Sequence, residues 1–148
     1  MDRLSANAPS EPRAPHTRWR ALVLVFAGGA LGTLLREIVG LGVAPIGGFP
    51  LATFVVNVVG AFALGVLLAR LAAQPAGRWN RLLRLFFATG VLGGFTTYSG
   101  LANDAVLLIA GDAAWLAIAY ALLTVLIGTC SAWAGMTVGG SKRSGGAL

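Results

Sequence analysis

Between about Leu82 and Ile109 the chain is almost unbroken apolar residues, yet the middle of that run reads Gly90-Val91-Leu92-Gly93-Gly94-Phe95-Thr96-Thr97-Tyr98-Ser99-Gly100-Leu101. A straight helix of that length would reach roughly 40 Å at ~1.5 Å per residue. The hydrocarbon core of a bilayer is only about 30 Å thick. The glycines and hydroxyls therefore fall near mid-membrane, where a spanning helix should be most apolar. Glycine pairs weaken a helix, and Thr, Tyr and Ser bring donors and acceptors. Backbone cannot be left unsatisfied in lipid, so a break at this point must face protein, an ion or a water-filled path. Broken helices at the midplane recur as ion and substrate sites. The alternative is an ordinary glycine-rich helix contact with its hydroxyls bonded to the preceding turn.

Composition puts the whole chain in the membrane. Of 148 residues, 57% are hydrophobic and only 11% charged, against about 25% charged in soluble domains. The net charge of +6 does not point to nucleic acid. The arginines sit between apolar runs, as juxtamembrane arginines do, and no basic patch interleaved with aromatics is present. Four spanning helices are expected, over about Trp19–Gly42, Leu51–Leu71, Leu82–Ile109 and Ala113–Met136. They make one transmembrane domain over 19–136, with disordered polar tails at 1–18 and 137–148. The lone cysteine, Cys130, reads as a small hydrophobe, and His16 as a solvated tail residue.

Polar residues inside the spans are few, and each has two readings. Gly28 and Gly32 form a small-residue face suited to close helix contact. Arg36, beside Glu37, is either an interfacial anchor with a snorkelling side chain or an arginine that attracts anions at a pore mouth. Asn57 is either glue between helices or a pore-lining donor. Tyr120, Thr124 and Gly128 recur every four residues and so share one helix face. They are either packing contacts or a polar track. No nucleophile, base and orienter are spaced for catalysis, and hydrolase and phosphate-loop signatures are missing, so an enzyme is not expected. Neutral amide and hydroxyl donors suit a small, strongly hydrated anion, and aromatic edges add to that. Carbonyls exposed at a helix break suit a hard monovalent cation.

Four stretches carry a resemblance. They are Gly28-Gly29-Ala30-Leu31-Gly32-Thr33-Leu34-Leu35-Arg36, Thr53-Phe54-Val55-Val56-Asn57-Val58-Val59-Gly60, Gly90 through Ser99, and the weaker Tyr120, Thr124, Gly128 face. In this order they resemble the Fluc/CrcB family of fluoride ion channels, over about Phe26 to Gly135. The resemblance implies an all-α membrane fold of four transmembrane helices with the third broken at mid-membrane, paired as an antiparallel dimer. It implies passive export of cytoplasmic fluoride, which protects the cell from fluoride toxicity. It implies a structural sodium ion at the dimer centre, held by the backbone carbonyls matching Gly93 and Thr96. The fluoride path would be lined by Asn57, Tyr98, Ser99, Tyr120 and Thr124, with Arg36 at the mouth. Gly93 is expected to take a backbone conformation closed to other residues. Asp104 falls where an acidic residue is common in the family.

The chain departs from the family at two positions. Members typically continue the signature as Phe-Ser-Thr-Phe, whereas these positions read Tyr98-Ser99-Gly100-Leu101. Leu101 has no ring and Gly100 no hydroxyl. Two other readings therefore stand beside the channel: a small four-helix multidrug-type transporter, and a non-conducting assembly subunit. Charge counting addresses the pairing. Of eleven Lys and Arg residues, Arg36 alone lies on one side of the expected spans, and the rest lie on the other. Positive residues stay cytoplasmic, so both termini are expected inside a multi-pass cell-membrane protein. Such a chain inserts one way only, which favours a heterodimer with an inverted homologous subunit over a homodimer of mixed orientation.

Overall fold

The computed structural model describes residues 15–141, and every regular element in that range is helical. Helix α1 runs over Pro15–Gly42 and α2 over Leu51–Ala72. A third span starts with α3 (Arg78–Leu83), continues as a π-helical segment over Arg84–Leu92, and ends that half with the short turn α4 (Gly93–Phe95). Helix α5 follows over Tyr98–Ala110, and α6 over Ala114–Gly140. Four stretches are long and apolar enough to cross a membrane: Trp19–Gly42, Leu51–Ala72, Arg78–Ala110 and Ala114–Gly140. The helices overrun the expected tails, since 15–18 and 137–140 are helical. Residues 1–14 and 142–148 of the expected tails lie outside the described residues.

Small residues explain how the spans associate. Lipid tails are as apolar as leucine, so helices in a membrane gain by close contact rather than by hiding apolar surface. Helix α2 packs along α6. A Cβ on Gly65 would strike the Ala132 carbonyl, one on Gly135 the Phe62 carbonyl, and one on Gly139 the Val66 carbonyl. Helix α1 packs along the third span in the same way. Gly28 meets the Phe86 carbonyl and the Cα of Gly90, Gly32 meets the Val91 carbonyl, and Gly94 meets the Gly29 carbonyl. The Gly28/Gly32 face is thus a backbone-to-backbone contact. Any side chain there would separate the two helices.

Between α1 and α2 the chain reverses in a tight turn. Gly47 and Gly48 have φ of 58° and 82°, the left-handed values that a two-residue hairpin turn needs and that glycine adopts without strain. Ile46 and Phe49 pair across it, with Phe49 N–H donating to the Ile46 carbonyl at 2.9 Å. The turn aims the Phe49 ring edge-on at Tyr120, with centroids 5.3 Å apart, and at Phe54, 5.4 Å apart. Tyr120 and Val56 are the largest side chains buried almost completely. Each spanning stretch is otherwise little buried within the chain, 11–17% of its most apolar window. Trp19, Trp79, Trp115 and Trp133 are all exposed. Three of them stand at span ends, where amphipathic rings settle at the membrane–water boundary.

Candidate functional site

The third span leaves the helical path at Thr96 and Thr97. Thr96 has φ −75° and ψ 152°, Thr97 φ −146° and ψ 119°, and helical geometry resumes at Tyr98. Two side chains hold this extended pair. The Asn57 amide grips the backbone of Thr97 from both sides. Its Oδ1 accepts the Thr97 N–H at 2.8 Å, and its Nδ2 donates to the Thr97 carbonyl at 3.0 Å. The Thr97 hydroxyl then caps α5 by accepting the Gly100 N–H at 2.9 Å. This is the ordinary N-cap bond to the third residue of a helix.

These bonds have a consequence for two carbonyls. In a continuous helix the Thr97 N–H would bond to the Gly93 carbonyl, and the Gly100 N–H to the Thr96 carbonyl. Both donors are taken by side-chain oxygens instead. The Gly93 and Thr96 carbonyls therefore lose their helical partners, three residues apart, one ahead of the extended pair and one within it. The next carbonyl, Gly94, is approached by Arg36, whose Nη1 donates to it at 3.2 Å. Arg36 Nε also lies 3.5 Å from Glu37 Oε1. The Thr96 hydroxyl turns back to the Leu92 carbonyl at 2.9 Å, and its methyl fills the space left by the missing side chain of Gly60.

Gly93 differs from expectation. Its φ of −66° and ψ of −35° are those of any helical residue, and a Cβ there would meet nothing closer than the Ala88 oxygen at 3.9 Å. The position that excludes a side chain is its neighbour Gly94, held against the Gly29 backbone. Gly100 also has a reason. A Cβ would come within 2.7 Å of Thr97 Cγ2, so this residue is small because the cap folds over it.

Two cavities flank the extended pair. One, of about 570 Å³, is lined by Arg36, Glu37, Thr53, Thr97, Ser99, Asn103 and Asp104 among others. The other, of about 470 Å³, is lined by Asn57, Thr96, Thr97, Tyr98, Leu101, Thr124 and Gly128 with their neighbours. Six of the eight residues singled out from the sequence thus line a cavity at the interruption: Arg36, Asn57, Thr96, Tyr98, Ser99 and Thr124; Gly93 lines neither and meets the interruption only through the carbonyl that Thr97 leaves free. Ser99 Oγ lies 3.2 Å from Thr97 Oγ1, and Tyr98 is 82% exposed. Tyr120 stands apart. It has no exposed surface, and its hydroxyl donates to Asp104 Oδ2 at 3.1 Å, so it touches the larger cavity only through that carboxylate. The Thr124 hydroxyl donates back to the Tyr120 carbonyl at 2.7 Å, which leaves only its lone pairs for another group. Thr53 and Thr97 were missed as site residues. A Thr-x-x-Gly spacing just after a glycine pair was the available signal for the cap at Thr97. Nothing in the sequence singles out Thr53. Among the described residues, no cluster of His, Cys, Asp and Glu could hold a metal ion.

A family model described as CrcB-like protein, Camphor Resistance (CrcB), matches residues 23–136. Several curated proteins are similar along most of their length. A fluoride-specific ion channel FluC 2 of Leifsonia xyli is 44% identical over 125 residues, 84% of this chain and 86% of its own. A fluoride-specific ion channel FluC of Thermus thermophilus is 42% identical over 123 residues, 80% of this chain and 94% of its own. A fluoride-specific ion channel FluC 3 of Yersinia pestis is 36% identical over 110 residues, 73% of this chain and 87% of its own.

Proposed function

The chain belongs to the CrcB family, and on that premise we propose that it is a subunit of a fluoride-selective channel that lets cytoplasmic fluoride leave the cell passively. The observation that carries this is the Asn57 clamp on Thr97. It holds open an interruption between a polar cavity and a second, mostly apolar one that the Asn57, Thr96, Thr97 and Thr124 side chains also line, in a span otherwise built of apolar residues. Fluoride would be met by neutral donors and aromatic edges rather than by a ring of carboxylates. One hydrogen of Asn57 Nδ2 remains for it, with the Ser99 hydroxyl and the Tyr98 ring beside the same gap. Arg36 is the guanidinium in the larger cavity, where Glu37 lies beside it and Tyr120 sets the position of Asp104.

A sodium ion suits the same interruption. The Gly93 and Thr96 carbonyls have lost their helical donors, and free carbonyl oxygens are the ligands a hard monovalent cation takes. These two residues would hold it through their backbone, and the ion would supply fixed positive charge between the fluoride paths.

The complete channel in this proposal is an antiparallel dimer with a homologous subunit of opposite orientation. The charge bias supports this, because ten of eleven basic residues lie on the side of the termini and of the α2–α3 loop. The numbered names of the relatives in Leifsonia xyli and Yersinia pestis are compatible with such paired chains. Leu101, buried against the smaller cavity, leaves one aromatic contribution to the partner. The test is anion efflux from liposomes holding this chain with and without an inverted homologue. Rapid fluoride efflux with negligible chloride efflux is expected from the pair. Equal release of both anions by the pair would overturn the proposal.

A further inference from the structure

Away from the interruption, a third cavity of about 400 Å³ opens where the second span ends and the third begins, lined by Leu71, Gln74, Gly77, Asn80, Arg81 and Arg84 with their neighbours. We propose that it is a binding site for the headgroup of an anionic phospholipid of the phosphatidylglycerol type. Three observations carry this. First, the cavity is basic, and its arginines have no carboxylate partner among the described residues. Arg81 and Arg84 stand three residues apart, which puts them on one helix face. No Asp or Glu occurs between Glu37 and Asp104, and the carboxylate pairing recorded among the described residues is Arg36 with Glu37.

Second, Asn80 presents an acceptor with no donor. Its Nδ2 donates to the Leu71 carbonyl at 2.8 Å, which fixes the orientation of the amide. Its Oδ1 is then buried without a partner among the described residues. A buried acceptor left empty is unfavourable; a small turn of the amide toward the cavity it lines would bring Oδ1 within reach of a glycerol hydroxyl, while the phosphate takes the two guanidinium groups. Third, the cavity lies at the level where lipid headgroups are. Leu51–Ala72 and Arg78–Ala110 are the adjoining membrane spans, and Trp79, 71% exposed next to Asn80, is an interfacial residue by type and place. Basic pockets between spanning helices are a known form of lipid headgroup site.

The test uses the purified full chain in detergent, titrated with dioleoyl phosphatidylglycerol and, separately, dioleoyl phosphatidylcholine, with bound lipid counted by native mass spectrometry. Phosphatidylglycerol is expected to be retained and phosphatidylcholine lost. A juxtamembrane arginine contributes about fivefold, so R81Q/R84Q is expected to weaken retention roughly 30-fold. R81K/R84K keeps both charges and is expected to recover most of it, which separates lost charge from misfolding. R70Q/R78Q removes two arginines of the same loop region that do not line the cavity, and is expected to change little. Equal losses in R70Q/R78Q and R81Q/R84Q would show a diffuse surface field and overturn the site. So would equal retention of the two lipids. Inorganic phosphate at millimolar concentration is the third arm. If it displaces phosphatidylglycerol completely, the site is one for free phosphate and the lipid assignment is wrong.

Discussion

Replacing Asn57 with Ala should affect this chain more than one polar side chain usually does in a membrane helix. The variant removes two hydrogen bonds at once, to the N–H and the carbonyl of the same residue, Thr97. Bonds between helices in lipid average about 0.6 kcal/mol each, and hydrogen bonds in proteins reach about 1.5 kcal/mol. Two of them give about 1–3 kcal/mol, or roughly five- to 150-fold in the unfolding equilibrium constant. The freed Thr97 N–H has a fallback in the Gly93 carbonyl, its ordinary helical acceptor. That rearrangement would recover part of the loss, so the lower half of the range is expected. It would also take Gly93 away from any cation. The assay is reversible unfolding in mixed micelles with a rising fraction of sodium dodecyl sulfate, followed by far-ultraviolet circular dichroism, in sodium and in N-methylglucamine buffers. The parent chain, reconstituted with its inverted partner, should be more stable in sodium, and N57A should lose that difference. If N57A unfolds within about 0.3 kcal/mol of the parent, half the average for one such bond, the clamp does not hold the interruption. If N57A keeps the full sodium effect, the link between clamp and carbonyl is wrong.

Thr97→Ala should cost about 1 kcal/mol through loss of the α5 cap, while Thr97→Ser should stay within a few tenths, both read by the same unfolding assay. Gly94→Ala drives a methyl into the Gly29 backbone and should destabilise by about 1–3 kcal/mol; Gly93→Ala makes only an ordinary contact, 3.9 Å from the Ala88 oxygen, and should melt with the parent, judged by thermal unfolding of the two variants side by side. Expressed alone and labelled at both ends with a membrane-impermeant reagent, the chain should show one orientation with both termini protected in intact cells. Two populations of opposite orientation would refute the charge-bias argument.

Much of this arrangement was legible in composition and spacing. Apolar run length located the four spans, because bilayer thickness leaves little freedom in how long a spanning helix can be. Gly28 and Gly32 announced a close contact, and the structure seats them on Phe86, Gly90 and Val91. What escaped were effects of partners distant in sequence. Asn57 had two readings from sequence, and only the approach of Thr97, 40 residues later, shows that the amide grips backbone. Gly93 looked like the residue needing special dihedrals, yet the strain-free requirement is steric and falls on Gly94, since it depends on how near α1 lies. Tyr120 shares a helix face with Thr124, but the turn at Gly47 and Gly48 covers it with Phe49, which a helical wheel cannot show. The π-helical stretch over Arg84–Leu92 left no trace in composition.

That stretch carries a consequence for chain length. A π turn closes between residues five apart where an α turn closes between residues four apart. It therefore accommodates an added residue without unwinding the span. Each residue in an α-helix advances the azimuth by about 100°. Deleting one residue early in this stretch, ahead of the Gly90 contact with Gly28, would let the wide turn relax to the tighter coil and keep Thr97 in phase with Asn57. The same deletion placed between Tyr98 and Asn103 would swing Asp104 about a quarter turn away from Tyr120. The segment thus acts as slack for chain length, confined to one side of the interruption.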